Sequence, residues 1–229
     1  MNAPLMSATD HDALSTQDLR ECSRMATSQD ASVLPQIYGD KVNIAIWQRA
    51  HSLSFGRAIE NFLAAHPSYA LSLMTSPASV HESVSAALPS DSGGVLADDI
   101  AELVDMFCCL FDLKRAGLRL AVLERAMCPR FHVDAVPCRL VTTYCGPTTE
   151  WLEHVSVDRT KLGTGNQGLA DAESGLFRHQ DDVQQLASGD VALLKGEAWA
   201  GNEGAGLVHR SPSVLSGQRR LLLTLDFGR

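Results

Sequence analysis

The spacing of apolar residues changes once along the chain, near Gly117. Before that glycine it is helical, most clearly in DDIAELVDMFCCLFDLKRAG, residues 98–117. This segment forms one broad apolar stripe at helical spacing, made of Ile100, Leu103, Val104, Phe107, Leu110 and Phe111. A second helix is predicted from Lys41 to about Ala65, ending before Pro67.

After Gly117 the pattern becomes that of β-strands. Four segments alternate or are rich in β-branched and aromatic residues, namely LRLAVLERAM, CRLVTTYC, DVALLKG and RRLLLTLDF. The segments between them, TGNQG, ASGD, GNEGAG and SPSVLSG, have turn composition. Helices followed by a set of strands predict an α+β fold in which helices brace an antiparallel sheet.

Composition limits the number of domains. With 229 residues and 45% hydrophobic content, the chain can build one substantial core, and nothing requires a second domain. Residues 1–35 are rich in Ser, Thr, Asp, Gln and Ala and have no sustained apolar period, so they are expected to form a disordered tail. The rest, residues 36–229, is expected to be a single domain.

Charge and targeting signals narrow the function. The chain has 27 acidic and 19 basic residues and no Lys/Arg-rich run, which disfavours nucleic acid as a partner. It shows no secretory signal and no apolar run of about 18 residues, so a cytoplasmic protein without membrane contact is expected. Cysteines in that compartment are expected to be reduced, and the adjacent Cys108 and Cys109 are interpreted as core or boundary thiols. A small-molecule substrate is the expected partner, and the sequence carries no signal for oligomeric state.

The candidate chemistry begins at FHVDAVPCRLVTTYCGPTTEWL, residues 131–152. In a strand, His132 and Asp134 would project from the same face, so an imidazole and a carboxylate could meet at one cation. A third ligand is offered by His209, in GLVHRSP at the end of an apolar segment. Two histidines and one carboxylate on one face of a divalent iron leave other positions open for substrate or dioxygen.

Two arginines follow at the start of the last strand. Arg219 and Arg220 lie ten and eleven residues after His209, where a guanidinium could clamp the carboxylate of a small diacid. Because alternate strand residues face opposite ways, only one of them can point inward, and the sequence leaves open which one does.

These motifs together resemble the core of the Fe(II)- and 2-oxoglutarate-dependent dioxygenases over residues 118–229. The resemblance implies a double-stranded β-helix, that is, a cupin-like jelly roll, with the N-terminal helices packed outside. It implies iron held by His132, Asp134 and His209, with Arg219 or Arg220 binding the distal carboxylate of 2-oxoglutarate. Tyr144 would reach the co-substrate. The activity implied is hydroxylation of a small molecule or side chain, with 2-oxoglutarate converted to succinate.

The whole chain, through CPRFHVD, TYCGPTTEWL and HRSP, is also similar to a bacterial family known only as a domain of unknown function. Some of its members are encoded beside zinc-homeostasis proteins, which supports zinc as the rival metal. Zinc on the same three residues would give a hydrolase, a sensor or a metal-homeostasis factor. Thiolate sites using Cys128, Cys138 or Cys145 lack the paired spacing of zinc knuckles. A non-catalytic jelly-roll binding module is the remaining alternative.

Overall fold

The computed structural model describes residues 25–89 and 94–228. Its α-helices are α1 (Leu53–Ala65), α2 (Val80–Ala87) and α3 (Gly94–Leu110), and a 3-10 helix spans Ala31–Tyr38. Its strands are β1 (Met25–Ser28), β2 (Ile44–Trp47), β3 (Ala70–Thr75), β4 (Ala116–Leu123), β5 (Cys138–Cys145), β6 (Glu150–Leu152), β7 (Val183–Gln185), β8 (Val191–Lys195), β9 (Val208–Arg210) and β10 (Arg220–Phe227).

Two sheets organise these elements. The larger has seven strands in the order β1-β2-β8-β5-β10-β4-β3, and the smaller has three in the order β7-β6-β9. β1 and β2 pair in parallel, and the other pairs are antiparallel. The fold is therefore α+β, with a large and mostly antiparallel sheet, in agreement with the class predicted from the sequence.

The two faces of the large sheet have different neighbours. One face packs on the helices, and its buried residues include Leu140 on β5 and Leu223 on β10 together with Phe62 of α1 and Phe107 of α3. The other face shares a smaller apolar cluster with Trp151 of the three-stranded sheet. Residues of β5 and β10 thus alternate between a helix face and a face turned toward the small sheet.

The most periodic predictions are confirmed. Helix α3 buries Ile100, Leu103, Val104 and Phe107 as its stripe predicted. The four predicted strand segments correspond to β4, β5, β8 and β10. In the described part of the chain, no helix combines the length and apolarity needed to cross a membrane.

The boundary of the predicted tail is wrong by about ten residues. Residues 25–28 form β1, which pairs with β2 at the edge of the large sheet, and the 3-10 helix Ala31–Tyr38 buries Val33, Leu34 and Ile37. These apolar residues are too few and too closely spaced to show a period, so composition alone suggested disorder. Residues 1–24 of the predicted tail lie outside the described residues.

The helix predicted from Lys41 to Ala65 is really a strand followed by a helix. Residues Ile44–Trp47 form β2, and α1 begins only at Leu53, where Ser52 caps it by accepting a hydrogen bond from the amide of Phe55. Ile44, Ala45 and Ile46 are all buried, because both faces of β2 are covered. A short strand buried on both faces shows no alternation and cannot be told from a helix by its pattern.

Candidate metal centre

His132 and His209 are direct neighbours across an antiparallel bridge. The amide of each donates to the carbonyl oxygen of the other, both at 3.0 Å. Residues paired in this way project their side chains to the same side, and the two imidazole rings lie 4.6 Å apart between centroids. The main chain thus brings together two histidines that are 77 positions apart.

Each imidazole is held by a second hydrogen bond to the backbone. Nδ1 of His132 lies 3.0 Å from the carbonyl oxygen of Arg130, and Nδ1 of His209 lies 3.2 Å from that of Leu207. A carbonyl oxygen can only accept, so Nδ1 carries the proton in both rings. Nε2 of each ring is then the nitrogen available to a metal ion, the arrangement usual for metal-binding histidines.

Asp134 completes a group of three ligands. One ligand atom from each of His132, Asp134 and His209 lies within 4.8 Å of the other two. Nε2 of His132 is 3.5 Å from Oδ1 of Asp134, and Nε2 of His209 is 3.5 Å from Oδ2. The predicted strand over 132–134 is reduced to a single bridge at His132, and Asp134 lies in the loop that leads into β5.

The electrostatics of the three residues favour metal binding. Burial raises the pKa of Asp134, but the hydrogen bond with His132 and the charges of His209 and Arg139 outweigh it and hold that pKa at about 2. Burial lowers the pKa of His209 to about 4, partly offset by the charge of Asp134. The hydrogen bond with Asp134 raises the pKa of His132. At neutral pH Asp134 is ionised and His209 is neutral, as a ligand must be.

The loop that carries Asp134 is fixed by contacts with the end of β8. The amide of Glu197 donates to the carbonyl oxygen of Asp134 at 2.9 Å, and the amide of Gly196 donates to that of Pro137 at 2.9 Å. A Cβ atom on Gly196 would lie 2.1 Å from the carbonyl oxygen of Val136 and 2.6 Å from that of Asp134. The close approach of the two backbones therefore requires glycine at this position.

A buried carboxylate holds the neighbours of both histidines. Asp171, 6% exposed, accepts a hydrogen bond from the amide of Phe131 at 3.0 Å and one from Arg210 at 3.3 Å. Phe131 precedes His132, and Arg210 follows His209. Asp171 thus ties the long connection between β6 and β7 to the two histidine-bearing segments.

A narrow cavity extends from the histidines to Arg220. Its volume is about 60 Å³, and it is lined by His132, His209, Arg139, Arg220 and apolar and hydroxyl side chains between them, including Val141, Leu222, Thr149 and Thr224. Arg220 is 2% exposed and donates to the hydroxyls of Thr143 at 3.0 Å and Thr149 at 2.7 Å. Burial lowers its pKa to about 10. Within the described residues the hydrogen-bond partners of this buried guanidinium are threonine hydroxyls, and burial is the only cause of its pKa shift.

The other two residues predicted to bind co-substrate lie elsewhere. Arg219 points to the helix side, where it pairs with Glu124 at 3.1 Å and donates to the carbonyl oxygen of Leu63. Tyr144 lies on the helix face of β5 and donates to Asp99 at 2.7 Å. Tyr144 therefore does not line the cavity that holds His132, His209 and Arg220, because strand alternation turns it to the other face of β5.

The described cysteines are not part of the ligand group. Cys138 is buried in the core on the helix face of β5, and burial raises the pKa of its thiol far above the ordinary value. Cys128 lines the mouth of the cavity, but its sulfur is not among the clustered ligand atoms. The structure thus offers no thiolate zinc site among the described cysteines around His132.

The family of the chain follows from a sequence comparison. The family described as "Protein of unknown function (DUF1826)" matches residues 28–226. The chain belongs to the DUF1826 family. A search of curated protein sequences finds no match for this DUF1826 chain.

Solved structures show which fold this DUF1826 chain shares. The dioxygenase for auxin oxidation of rice superposes with a TM-score of 0.51 at 12% identity, covering 91% of this chain and 76% of that one. The Arabidopsis thaliana dioxygenase for auxin oxidation 1, solved as a complex with 2-oxoglutarate, gives 0.52 at 10% identity, covering 90% and 93%. At these identities the likeness shows a shared fold, and it confirms the predicted resemblance at the level of the fold.

Two residues of the DUF1826 site were missed from the sequence. Arg139 donates to Asp134 at 2.8 Å, and Asp171 lies 37 residues beyond the nearest ligand in the chain. Arg139 stands five residues after Asp134, an odd separation that would place the two on opposite faces of one continuous strand, so parity argued against the contact that the loop between them allows. Nothing local in ADAESG distinguishes Asp171 from a solvated loop residue.

Proposed function

We propose that this protein is an Fe(II)- and 2-oxoglutarate-dependent dioxygenase that hydroxylates a small molecule or a side chain. His132, Asp134 and His209 hold the iron, and Arg220 binds the distal carboxylate of 2-oxoglutarate. The observation that carries the proposal is that the two histidines of a clustered His/Asp/His group line the same cavity as a buried arginine. The two sheets are proposed to form the two walls of a jelly roll.

The donor set fits a divalent metal ion. Two ligands about 2.1 Å from one ion and at right angles lie about 3 Å apart, and each histidine nitrogen is 3.5 Å from the nearest oxygen of Asp134. Both Nε2 atoms and the carboxylate face one point, and each ring is fixed by its Nδ1 hydrogen bond. Two histidines and one carboxylate on one face of the ion are typical of non-haem Fe(II) oxygenases.

When bound, iron with 2-oxoglutarate and dioxygen supplies the oxidising power to hydroxylate a C–H bond, with loss of CO₂ and formation of succinate. The protein's own residues supply position and environment. His132, Asp134 and His209 would hold the ion through three donors, which would leave its other coordination positions to the co-substrate and dioxygen. Val141 and Leu222 line the cavity between the histidines and Arg220 and exclude water there.

Arg220 is suited to a dicarboxylate for two reasons. Its guanidinium is buried and is held by two neutral hydroxyls, which leave its charge uncompensated. A bidentate carboxylate would both pair this charge and match the planar arrangement of its donors. The cavity is small compared with ordinary ligand pockets of about 300–1,000 Å³. We therefore expect side chains at its mouth, such as Met127, to move when the co-substrate binds.

Metal content and co-substrate turnover test the proposal. Protein reconstituted anaerobically with Fe(II) is expected to bind 2-oxoglutarate and, on admission of air with substrate candidates absent, to form succinate slowly. His132→Ala is expected to abolish both 2-oxoglutarate binding and succinate formation. If iron-loaded protein does not bind 2-oxoglutarate, the dioxygenase function is overturned. If zinc is retained through His132 while iron and 2-oxoglutarate are not, the rival zinc function replaces it.

A further inference from the structure

Arg139 connects the proposed metal ligand Asp134 to the large sheet. Its Nη1 donates to Oδ2 of Asp134 at 2.8 Å, while Nε and Nη2 donate to the two oxygens of Asp226 at 2.8 and 2.9 Å. One guanidinium thus binds two carboxylates at once. Oδ1 of Asp134 has no such bond to Arg139.

The guanidinium is held rigidly by its partner. Arg139 on β5 and Asp226 on β10 lie directly opposite each other in the antiparallel ladder, and both project toward the cavity face. Fork-to-fork pairing of arginine with a carboxylate fixes the plane of the guanidinium. The direction of the third bond, from Nη1 to Asp134, is therefore set by the sheet and not by the mobile end of a long side chain.

We propose that Arg139 is a positioning residue that keeps Oδ2 of Asp134 away from the metal, so that Asp134 binds through Oδ1 alone. The inference rests on the proposed function. A carboxylate is able to bind a metal through one oxygen or through both, and binding through both would occupy a coordination position. By engaging Oδ2, Arg139 leaves that position to the co-substrate or dioxygen.

A purely electrostatic role for Arg139 would have the opposite effect on affinity. A cation a few ångströms from a divalent metal repels it, so removal of the charge alone would strengthen metal binding. Loss of an outer partner that orients a ligand instead weakens binding, by about 10 to 100-fold. Whether metal affinity falls or rises when Arg139 is replaced therefore distinguishes a positioning role from a purely electrostatic one.

Two substitutions of Arg139 separate these roles. Arg139→Lys keeps the charge but loses the planar fork, and Arg139→Gln loses the charge as well. Asp226→Asn leaves Arg139 in place but removes the charge that anchors it. The matched control is Arg219→Lys, because Arg219 lies on the opposite face and contacts Glu124.

The measurements are anaerobic Fe(II) affinity by competition with a chelator and the visible spectrum of the Co(II)-substituted protein, which reports coordination number and geometry. We expect both Arg139 variants to lose affinity about 10 to 100-fold and to change the Co(II) spectrum. Asp226→Asn should change the Fe(II) affinity and the Co(II) spectrum in the same direction as the Arg139 variants, but less strongly. Arg219→Lys should match the wild type. Circular dichroism of each metal-free variant checks its fold.

The outcomes identify which proposal fails. Unchanged affinity and an unchanged Co(II) spectrum in Arg139→Lys and Arg139→Gln would overturn the positioning role alone, as would tighter binding by Arg139→Gln. If either variant fails to fold, Asp226→Asn decides by the same two readouts. Failure of the wild type to bind Fe(II) or Co(II) through His132 would overturn the proposed function, and the positioning role with it.

Discussion

Arg219 and Arg220 are consecutive in the chain but lie on opposite faces of the large sheet. Arg219 contacts Glu124 and the carbonyl oxygen of Leu63 in α1, on the helix face. Arg220 lies in the cavity with Thr143 and Thr149. The sequence alone left these two residues equivalent, and their contacts now separate them.

Substitution of the two arginines should therefore have unequal effects. Arg220→Gln removes the charged donors proposed for the co-substrate carboxylate, and a hydrogen bond to a charged group contributes about 1.5–3 kcal/mol. We expect 2-oxoglutarate to bind at least about tenfold more weakly to the Fe(II) or Mn(II) protein. Arg219→Gln is the matched control and should bind it as the wild type does. Equal weakening by both would contradict the assignment.

Tyr144→Phe should affect stability and leave co-substrate binding unchanged. The hydroxyl of Tyr144 donates to Asp99, which also forms an ion pair with Arg49 at 2.6 Å. Loss of this buried hydrogen bond should lower the free energy of unfolding by about 1–3 kcal/mol, as measured by urea denaturation. A weaker affinity for 2-oxoglutarate, with stability unaltered, would instead place Tyr144 in the co-substrate site.

Asp171→Asn should weaken metal binding although Asp171 is not a ligand. The substitution removes one of the two carboxylates that hold Arg210, the other being Glu150, and weakens the acceptor for the amide of Phe131, so both histidine segments lose a support. Outer residues of this kind change metal affinity by about 10 to 100-fold. Chelator competition measures the loss. The control is Asp158→Asn, because the carboxylate of the exposed Asp158 accepts hydrogen bonds from Thr160, within its own turn. If the two variants bind metal equally, Asp171 has no such role.

Gly196→Ala should disrupt the loop that carries Asp134. The added methyl group would overlap the carbonyl oxygens of Val136 and Asp134 and force the two backbones apart. We expect loss of metal binding together with a lowered melting temperature. Gly56→Ala is the matched control: Gly56 lies in α1 with nothing within 4 Å of the added atom, and alanine is the better helix former. Normal metal affinity in Gly196→Ala would show that the loop tolerates the displacement.

The sequence predicted the elements whose pattern is long and one-sided. Helix α3 has a stripe of apolar residues over 17 positions, and β5 and β10 have eight residues each. It failed for β1, β2 and β3, which have four to six residues, and for α2 with eight. Segments this short carry too few apolar positions to define a period, and β8, with five residues, was predicted only because DVALLKG is a compact apolar run bounded by turn residues.

The candidate site shows a different limit of prediction from the sequence. The three proposed ligands were identified because their residue types and order resemble a known family. The residues that support these ligands were not identified from the sequence. Asp226 reaches the site only through the register of β10 against β5, and Asp171 only through the long connection between β6 and β7. The choice between Arg219 and Arg220 was also left open, because alternation tells which residues share a face but not which face is turned to the site. The structure places Arg220 on the cavity face with Leu222 and Thr224, whereas Leu221 and Leu223 lie on the helix face.

The reciprocal backbone pairing of His132 and His209 bears on how metal binding and folding are linked. Because these bonds join main-chain atoms and do not involve the ligand nitrogens, we expect most of the ordering entropy of the ligands to be lost when the chain folds, not when the ion binds. Chelation should therefore leave the apoprotein folded, unlike small domains that fold only around zinc. Added metal should then raise the unfolding free energy only by the mass-action term set by its concentration relative to its Kd.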